Sequence, residues 1–337
     1  IDANSPTISS VSIADTAMNV GDVVTVSITA SEAGLALTSG SINGVAVTAF
    51  TDNGAGNYSA TYTVVEGHTD RAAGDTIPVS FVLADAAGNA SNTFTTAISQ
   101  ASDAIDANSP TISSVSIADT AMNVGDVVTV SITASEAGLT LNAGTINGVA
   151  VTGFTDNGAG SYSATYTVLE GHTDRAAGDA IPVSFILEDA AGNASDTFTT
   201  AISQASDVID ANSPTISAVT IPDTAMNVGD VVTVSITASE AGLTLTSGSI
   251  NGAAVTAFAD NGAGNYSATY TVLEGHTDRA ADTTIPVSFV LADTAGNVSD
   301  TFTTAISQAS DAIDANSPTI SSVSIADTAM NVGDVVT

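Results

Sequence analysis

The chain has 337 residues, of which 36 are acidic and three are arginine, with no lysine, for a net charge of −33. That balance excludes nucleic acid, whose phosphates must be neutralised by Lys and Arg, and attraction to an anionic membrane surface. No run of about 20 apolar residues offers a membrane span, while a hydrophobic content of 44% argues against a disordered polyanion.

The segment Asp103-Ala104-Ile105-Asp106-Ala107-Asn108-Ser109-Pro110 returns as Asp207 to Pro214 and as Asp311 to Pro318, and the chain opens inside a copy at Ile1 to Pro6. The period is 104 residues throughout, without insertion or deletion. A unit of that size buries a core of its own, which solenoid repeats cannot do. The sequence therefore predicts domains at 1–104, 105–208 and 209–312, and a partial fourth at 313–337 with two strands. A chain that starts inside a motif and stops inside a strand reads as a piece of a longer array, so targeting segments are expected elsewhere. It has no cysteine, and bound metal can stabilise a module in place of disulfides.

Within the first repeat, alternation predicts a strand over 7–13, a loop over 15–22 and a clean strand over 23–30, with Val24, Val26, Ile28 and Ala30 facing inward. Ser31-Glu32-Ala33-Gly34 breaks it. Ser41-Ile42 and Val45-Ala46-Val47 flank Asn43-Gly44, a strong hairpin signal, and give the third and fourth strands. A second tight turn is expected over 51–57. Tyr58, Ala60, Tyr62 and Val64 mark the fifth strand, Ile77 to Leu83 the sixth, and Phe94, Thr96 and Ile98 the seventh. No helical periodicity occurs. Seven short strands in about 100 residues read as an all-β, immunoglobulin-like sandwich, without the Cys–Trp–Cys core of antibody domains.

Strand direction sorts the acids. If consecutive strands alternate, one pole holds the leading linker with Asp2 and Asn4, the turn with Glu32, the turn with Asp52, and the turn with Asp85 and Asn89. The other pole holds Asp15, Asp22, Asp70, Asp75 and the exit linker. Between the first and second repeats this gathers Asp70, Asp103, Asp106, Asn108, Glu136, Asp189 and Asn193, with Asp75 as a further candidate. The next joint gathers Asp174, Asp207, Asp210, Asn212, Glu240, Asp293 and Asn297, with Asp179 in the place of Asp75, and the third exit linker offers Asp278, Asp311, Asp314 and Asn316. Calcium takes six to eight oxygens from such carboxylates and amides, whereas magnesium demands a tighter octahedron. Zinc is disfavoured by one histidine and no cysteine per repeat. The expected ligand is Ca2+ at each joint. The position of Asp75 is weaker, because the third repeat reads Asp282-Thr283 there. Asp52-Asn53-Gly54 reads as a plain hairpin turn rather than a ligand, since Asp and Asn bond their own backbone. Asp15 and Asp22 are either a separate loop site or solubilising loop residues.

His68, His172 and His276 lie near aspartates and serines, but nothing resembles a nucleophile elbow or a phosphate loop, so no enzyme is expected. The rival class is a binding module whose sandwich surface contacts ice, a glycan or another cell. Aromatic content of 4% without tryptophan is poor for such pockets.

The Ser-Glu turn after the second strand, the Asp-Ala-Ala-Gly-Asn turn over 85–89 and the near-identical 104-residue period resemble the extender regions of giant bacterial repeats-in-toxin adhesins. The calcium-dependent repeats of ice-binding adhesins are similar, and the likeness covers the whole chain. It implies a calcium-stiffened, monomeric spacer outside the cell, exported by type I secretion, whose partners are its own neighbouring repeats. The spacer would hold an adhesive or ice-binding domain away from the outer membrane, without inserting into it.

Overall fold

The computed structural model describes residues 3–337; Asp2 lies outside them. No helix occurs among the described residues. The first repeat has nine strands: β1 (Ile8–Ser12), β2 (Met18–Asn19), β3 (Val23–Ala30), β4 (Ala36–Ile42), β5 (Val45–Ala46), β6 (Thr48–Gly54), β7 (Asn57–Thr63), β8 (Val79–Ala84) and β9 (Ile105–Asp106). One sheet runs β1-β3-β7-β6 and the other β5-β4-β8. The segment 90–98 lies along β8 through the bridges Ala84–Ala90, Phe81–Phe94 and Ile77–Ile98, completing the second sheet without forming a regular strand. Four strands against three in this order is the immunoglobulin-like sandwich. The same sheets recur in the second and third repeats.

Alternation builds the core. Val26, Ile28 and Ala30 of β3, Tyr58, Ala60 and Tyr62 of β7, and Val79, Phe81 and Leu83 of β8 point into one buried cluster. Their sequence neighbours Thr25, Ser27 and Thr29 face solvent. The Asn43-Gly44 turn has φ of 53° and 82°, the two left-handed residues of a tight hairpin whose twist matches the strands. Gly40 has another role. A Cβ there would meet the Phe81 ring at 2.7 Å and a Val47 methyl at 2.9 Å, so the position is closed to any side chain.

The expected turn over 51–57 is instead mostly strand. β6 runs on to Gly54, and the reversal is made by Ala55 and Gly56, with φ of 54° and 77°. Two breaks in register along β6 absorb the mismatch that its polar, glycine-containing sequence suggested was a loop. The loop expected over 15–22 contains β2, which pairs in parallel with β9: Met18 with Ile105 and Asn19 with Asp106. Half of the linker is thus a strand of the preceding sandwich. Ile105 (1% exposed) and Ala107 (0%) belong to the buried cluster of the first repeat, and Ile313 and Ala315 to that of the third.

The two strands expected in the partial fourth repeat are not formed. Beyond Asp314 no strand occurs, and Ile320, Val323 and Ile325 are 84%, 85% and 62% exposed. In each complete repeat the counterpart of β3 is held between those of β1 and β7. Residues 313–337 contain no counterpart of β7, and two strands alone bury too little to persist.

The chain divides into two compact units. One takes the chain up to Thr120 with Val127–Thr167 and Arg175–Asp207; the other takes Ala121–Asp126, Val168–Asp174 and Val208–Thr337. Each unit contains one complete joint between repeats.

Gly40→Ala should cost about 1–3 kcal/mol through overpacking against Phe81. Urea unfolding of the single variant and of Gly40→Ala with Phe81→Leu checks this, the second change recovering part of the loss.

Candidate metal centre

The first joint is built on the alternation of the linker. Ile105 and Ala107 turn inward, which leaves Asp106 half-exposed and Asn108 exposed on the other side. The loop after β7 clamps this strand. Gly67 N–H donates to Ala107 O (2.8 Å), and Arg71 exchanges backbone bonds with Ile105 (2.8 Å each). Asp70 accepts from Ala107 N–H (2.9 Å) and from the Asn108 amide (2.7 Å). Glu66 accepts Ser109 N–H through both oxygens at 3.1 Å.

The following repeat contributes its Asp-Ala-Ala-Gly-Asn turn. One oxygen of Asp189 accepts from the N–H groups of Ala191 (2.9 Å), Gly192 (2.8 Å) and Asn193 (2.9 Å), and the other accepts from the Asn193 amide (3.0 Å). A carboxylate folding its own backbone around itself in this way is the Asx device. Asp85 makes the same turn in the first repeat, where the hydrogen bonds, led by that of Asn89, hold its pKa below the ordinary value.

Three hydrogen bonds cross the joint among the described residues. The Asn19 amide donates to Ala191 O. Val20 N–H donates to Asn193 Oδ1 (2.9 Å), whose Nδ2 approaches Asp106 O (3.4 Å).

Charge accumulates in the same place. Burial raises the pKa of Asp106, and repulsion from Asp189, Asp70 and Glu66 raises it further, against a hydrogen bond from Asn108. Glu136 is raised by burial and then by Asp189, Asp106 and Asp70. No cation answers them: the chain lacks lysine, and Nε of Arg71, Arg175 and Arg279 donates to Asn43, Asn147 and Asn251. The second joint repeats the pattern. Burial is again the largest cause for Asp210 and Glu240; Asp293 and Asp174 repel both, and Asp210 also repels Glu240. Asp174 accepts from Ala211 N–H (2.9 Å) and the Asn212 amide (2.7 Å).

Asp70, Asp106, Glu136 and Asp189 thus lie within electrostatic reach at the first joint, and Asp174, Asp210, Glu240 and Asp293 at the second. Asp103, Asp207 and Asp311 are fully buried, each accepting the N–H three residues before it, and none is among the charges acting on Asp106 or Glu136. Asp15, Asp22, Asp52 and Asp75 each cap backbone N–H groups: Ser102, Asn19, Gly34 with Gly54, and Ala72. Asp278 holds Ala315 and Asn316 as Asp70 holds their counterparts, beside Asp314. Asn4, Glu32, Asp85 and Asn89 lie at the leading end of the first repeat. His68 accepts Val65 N–H on Nδ1 and stacks on Tyr62 at 6.1 Å.

Among the described residues no three His, Asp or Glu side chains converge closely enough to form a ready metal cluster. Asn19 Oδ1, with its Asn123 counterpart, is buried at the joint without a donor, and oxygen atoms of amides and carboxylates are the donors that a hard cation takes. Sequence reading missed Asn19, Val20 and Glu66. Neighbouring repeats are so alike that recurrence singles out no residue.

No protein-family model matches the chain, and no curated protein does. Among solved structures it is similar to titin domains I67–I69, at 7% identity and a TM-score of 0.38, covering 91% of this chain and 97% of that one. It is also similar to the ICAM-5 D1–D4 fragment (13%, TM-score 0.31, 89% and 75%). Invasin, a bacterial integrin-binding protein, follows at 15% and 0.25, covering 86% of this chain and 57% of that one.

Asp106 and Glu136 bind protons more tightly in the folded joint than at their ordinary values of 3.8 and 4.5. In chelator, their contribution to stability is therefore present at low pH and lost as pH rises through the raised values. Asp106→Asn with Glu136→Gln should remove that loss. The stability difference between variant and parent, measured by urea unfolding from pH 3.5 to 7, should grow in favour of the variant as pH rises.

Proposed function

We propose that this chain is a calcium-stiffened extender from a large bacterial surface adhesin, a row of immunoglobulin-like struts holding an adhesive or ice-binding domain away from the outer membrane. The observation that carries the reading is the mutual repulsion of carboxylates at each joint, where burial opposes ionisation of Asp106, Glu136, Asp210 and Glu240 and no lysine or arginine answers them. At the first joint Asp70 and Asp106 come from the leading repeat and its linker, and Glu136 and Asp189 from the turns of the following repeat. A divalent ion bound among them would tie the loop at Asp70, the linker at Asp106 and the turns at Glu136 and Asp189 into one body. Calcium suits this set because its shell accepts mixed carboxylate, amide and carbonyl oxygens at irregular angles. The charge supplied by the ion replaces repulsion with attraction, so the linker ceases to be a hinge.

The likeness of the repeat period and turns to repeats-in-toxin extenders supports a place outside the cell and export by type I secretion. Free calcium is scarce in the cytoplasm, so joints of this kind would stiffen only after export. A strand of seven or eight residues spans about 25 Å, so each strut with its loops adds roughly 40 Å of reach.

Thermal unfolding and small-angle scattering in calcium, magnesium and chelator test the reading. Calcium at 100 times its dissociation constant should add about 2.7 kcal/mol per occupied site, raise Tm and lengthen the particle. Magnesium should do less, and Asp106→Asn with Asp210→Asn should abolish most of the gain. A Tm and maximum dimension indifferent to chelator would overturn the proposal.

A further inference from the structure

We infer that each joint also carries a latch that needs no metal, made by two asparagine amides, and that Asn193 and Asn297 serve this latch rather than the cation. The inference rests on reading the repeats as a jointed array, not on calcium being the ion that stiffens it.

Three observations place the latch. The Asn193 oxygen that sequence reading assigns to a metal accepts Val20 N–H at 2.9 Å, and in the second joint Asn297 does the same for Val124 at 2.9 Å. The Asn19 and Asn123 amides donate to the carbonyls of Ala191 and Ala295. A segment of one repeat thus donates two hydrogen bonds, one from a side-chain amide and one from the backbone, to a turn of the next. The turn is shaped for that contact. Gly192 and Gly296 have φ of 99° and 107°, and a Cβ on either would sit 3.1 Å from the incoming Asn19 or Asn123 amide nitrogen. Gly88, in the same turn of the first repeat, has no neighbour within 4 Å of that position. Burial agrees: Asn193 and Asn297 are each 4% exposed.

The turn is closed by hydrogen bonds within itself, and Asp85 and Asn89 close the equivalent turn of the first repeat with the same bonds. Asp189 and Asp293 therefore present the asparagine ready-made, and the Asn19 side can be altered without touching the turn. Amide bonds of this kind carry no net charge and require no ion, so they can fix how the turn meets the linker whether or not an ion is bound. Asn193 Nδ2 also reaches Asp106 O at 3.4 Å, and Asn297 reaches Asp210 O at 3.3 Å, which sets the latch on the same residue as the carboxylate cluster.

The full chain has no native cysteine, so spin labels at Thr25→Cys and Thr129→Cys, both exposed, report the first joint by electron–electron dipolar distance distributions. Four backgrounds are compared in calcium and in chelator: parent, Asn19→Ala, Asn193→Ala and Asp106→Asn. The parent and Asp106→Asn should keep a resolved distance in chelator. Asn19→Ala and Asn193→Ala should keep it in calcium, and in chelator broaden at least twofold. Asn19→Ala guards against a result caused only by loosening of the turn. A parent as broad in chelator as Asn19→Ala would overturn the latch. Loss of calcium narrowing in Asn193→Ala but not in Asn19→Ala would return Asn193 to the ligands. Should Asn19→Ala and Asn193→Ala stay as broad in calcium as in chelator while the parent stays resolved in both, the extender reading fails and the latch stands.

Discussion

Repulsion among like charges at the joints is the constraint on which the rest depends. The central strands β3, β4, β7 and β8 carry no acids, and most of the acids lie in the loops and turns between strands. Asp106 and Glu136 stand where burial and neighbouring carboxylates both oppose ionisation. An arrangement that costs stability when bare can persist when something else offsets the cost. The chain holds only three cationic side chains, and each is engaged with the asparagine of a hairpin turn.

The linker resolves a conflict between reach and rigidity. A flexible tether between domains would add length and lose direction. Here Ile105 and Ala107 are buried in the preceding sandwich, and β9 is paired on one side with β2 and bridged on the other by Arg71. Freedom is left only to the few residues from Asn108 to Pro110. Asp70 and Glu66 bond to the first two of these, and proline fixes the backbone angle of the third.

Much of this was legible in the sequence. The alternation of Val23 to Ala30 and of Tyr58 to Val64 set two strands within a residue of their ends, because those strands are half-buried and period two is all they need. The Asn43-Gly44 hairpin was legible because both residues take left-handed angles that few others tolerate. β6 was not, because an edge strand with broken register buries little and needs no apolar pattern. The segment 90–98 meets residues 77–84 through three isolated bridges and a Ser91–Leu83 bond rather than a continuous ladder, so alternation promised a more regular strand than is formed. At the joint, strand direction alone put Asp70, Asp106, Glu136 and Asp189 at facing ends, but put Asp75 and Asp103 with them, which instead cap backbone N–H groups of their own repeat. Asn19 and Glu66 could not be placed there. Each acts through a single bond to the backbone of another segment, and composition carries no trace of such a bond.

Latch and charge cluster act on the same few residues in opposite senses. The amide bonds draw the turn at Asn193 onto Asn19 and Val20, and so press Asp189 toward Asp106 against their mutual repulsion. Without the latch the carboxylates would relieve that repulsion by moving apart, and an ion would have to reassemble its own site on arrival. With the latch, part of the ordering cost has been met before binding, which is how preorganisation raises affinity. The same preorganisation bears on selectivity. One oxygen of Asp189 is already committed to three N–H groups and the Asn193 oxygen to a fourth, so the remaining donors are few, uneven and fixed by the turn. A cation with a loose shell can fill its missing positions with water and backbone carbonyls, whereas one demanding a tight octahedron would have to distort the latch to enter.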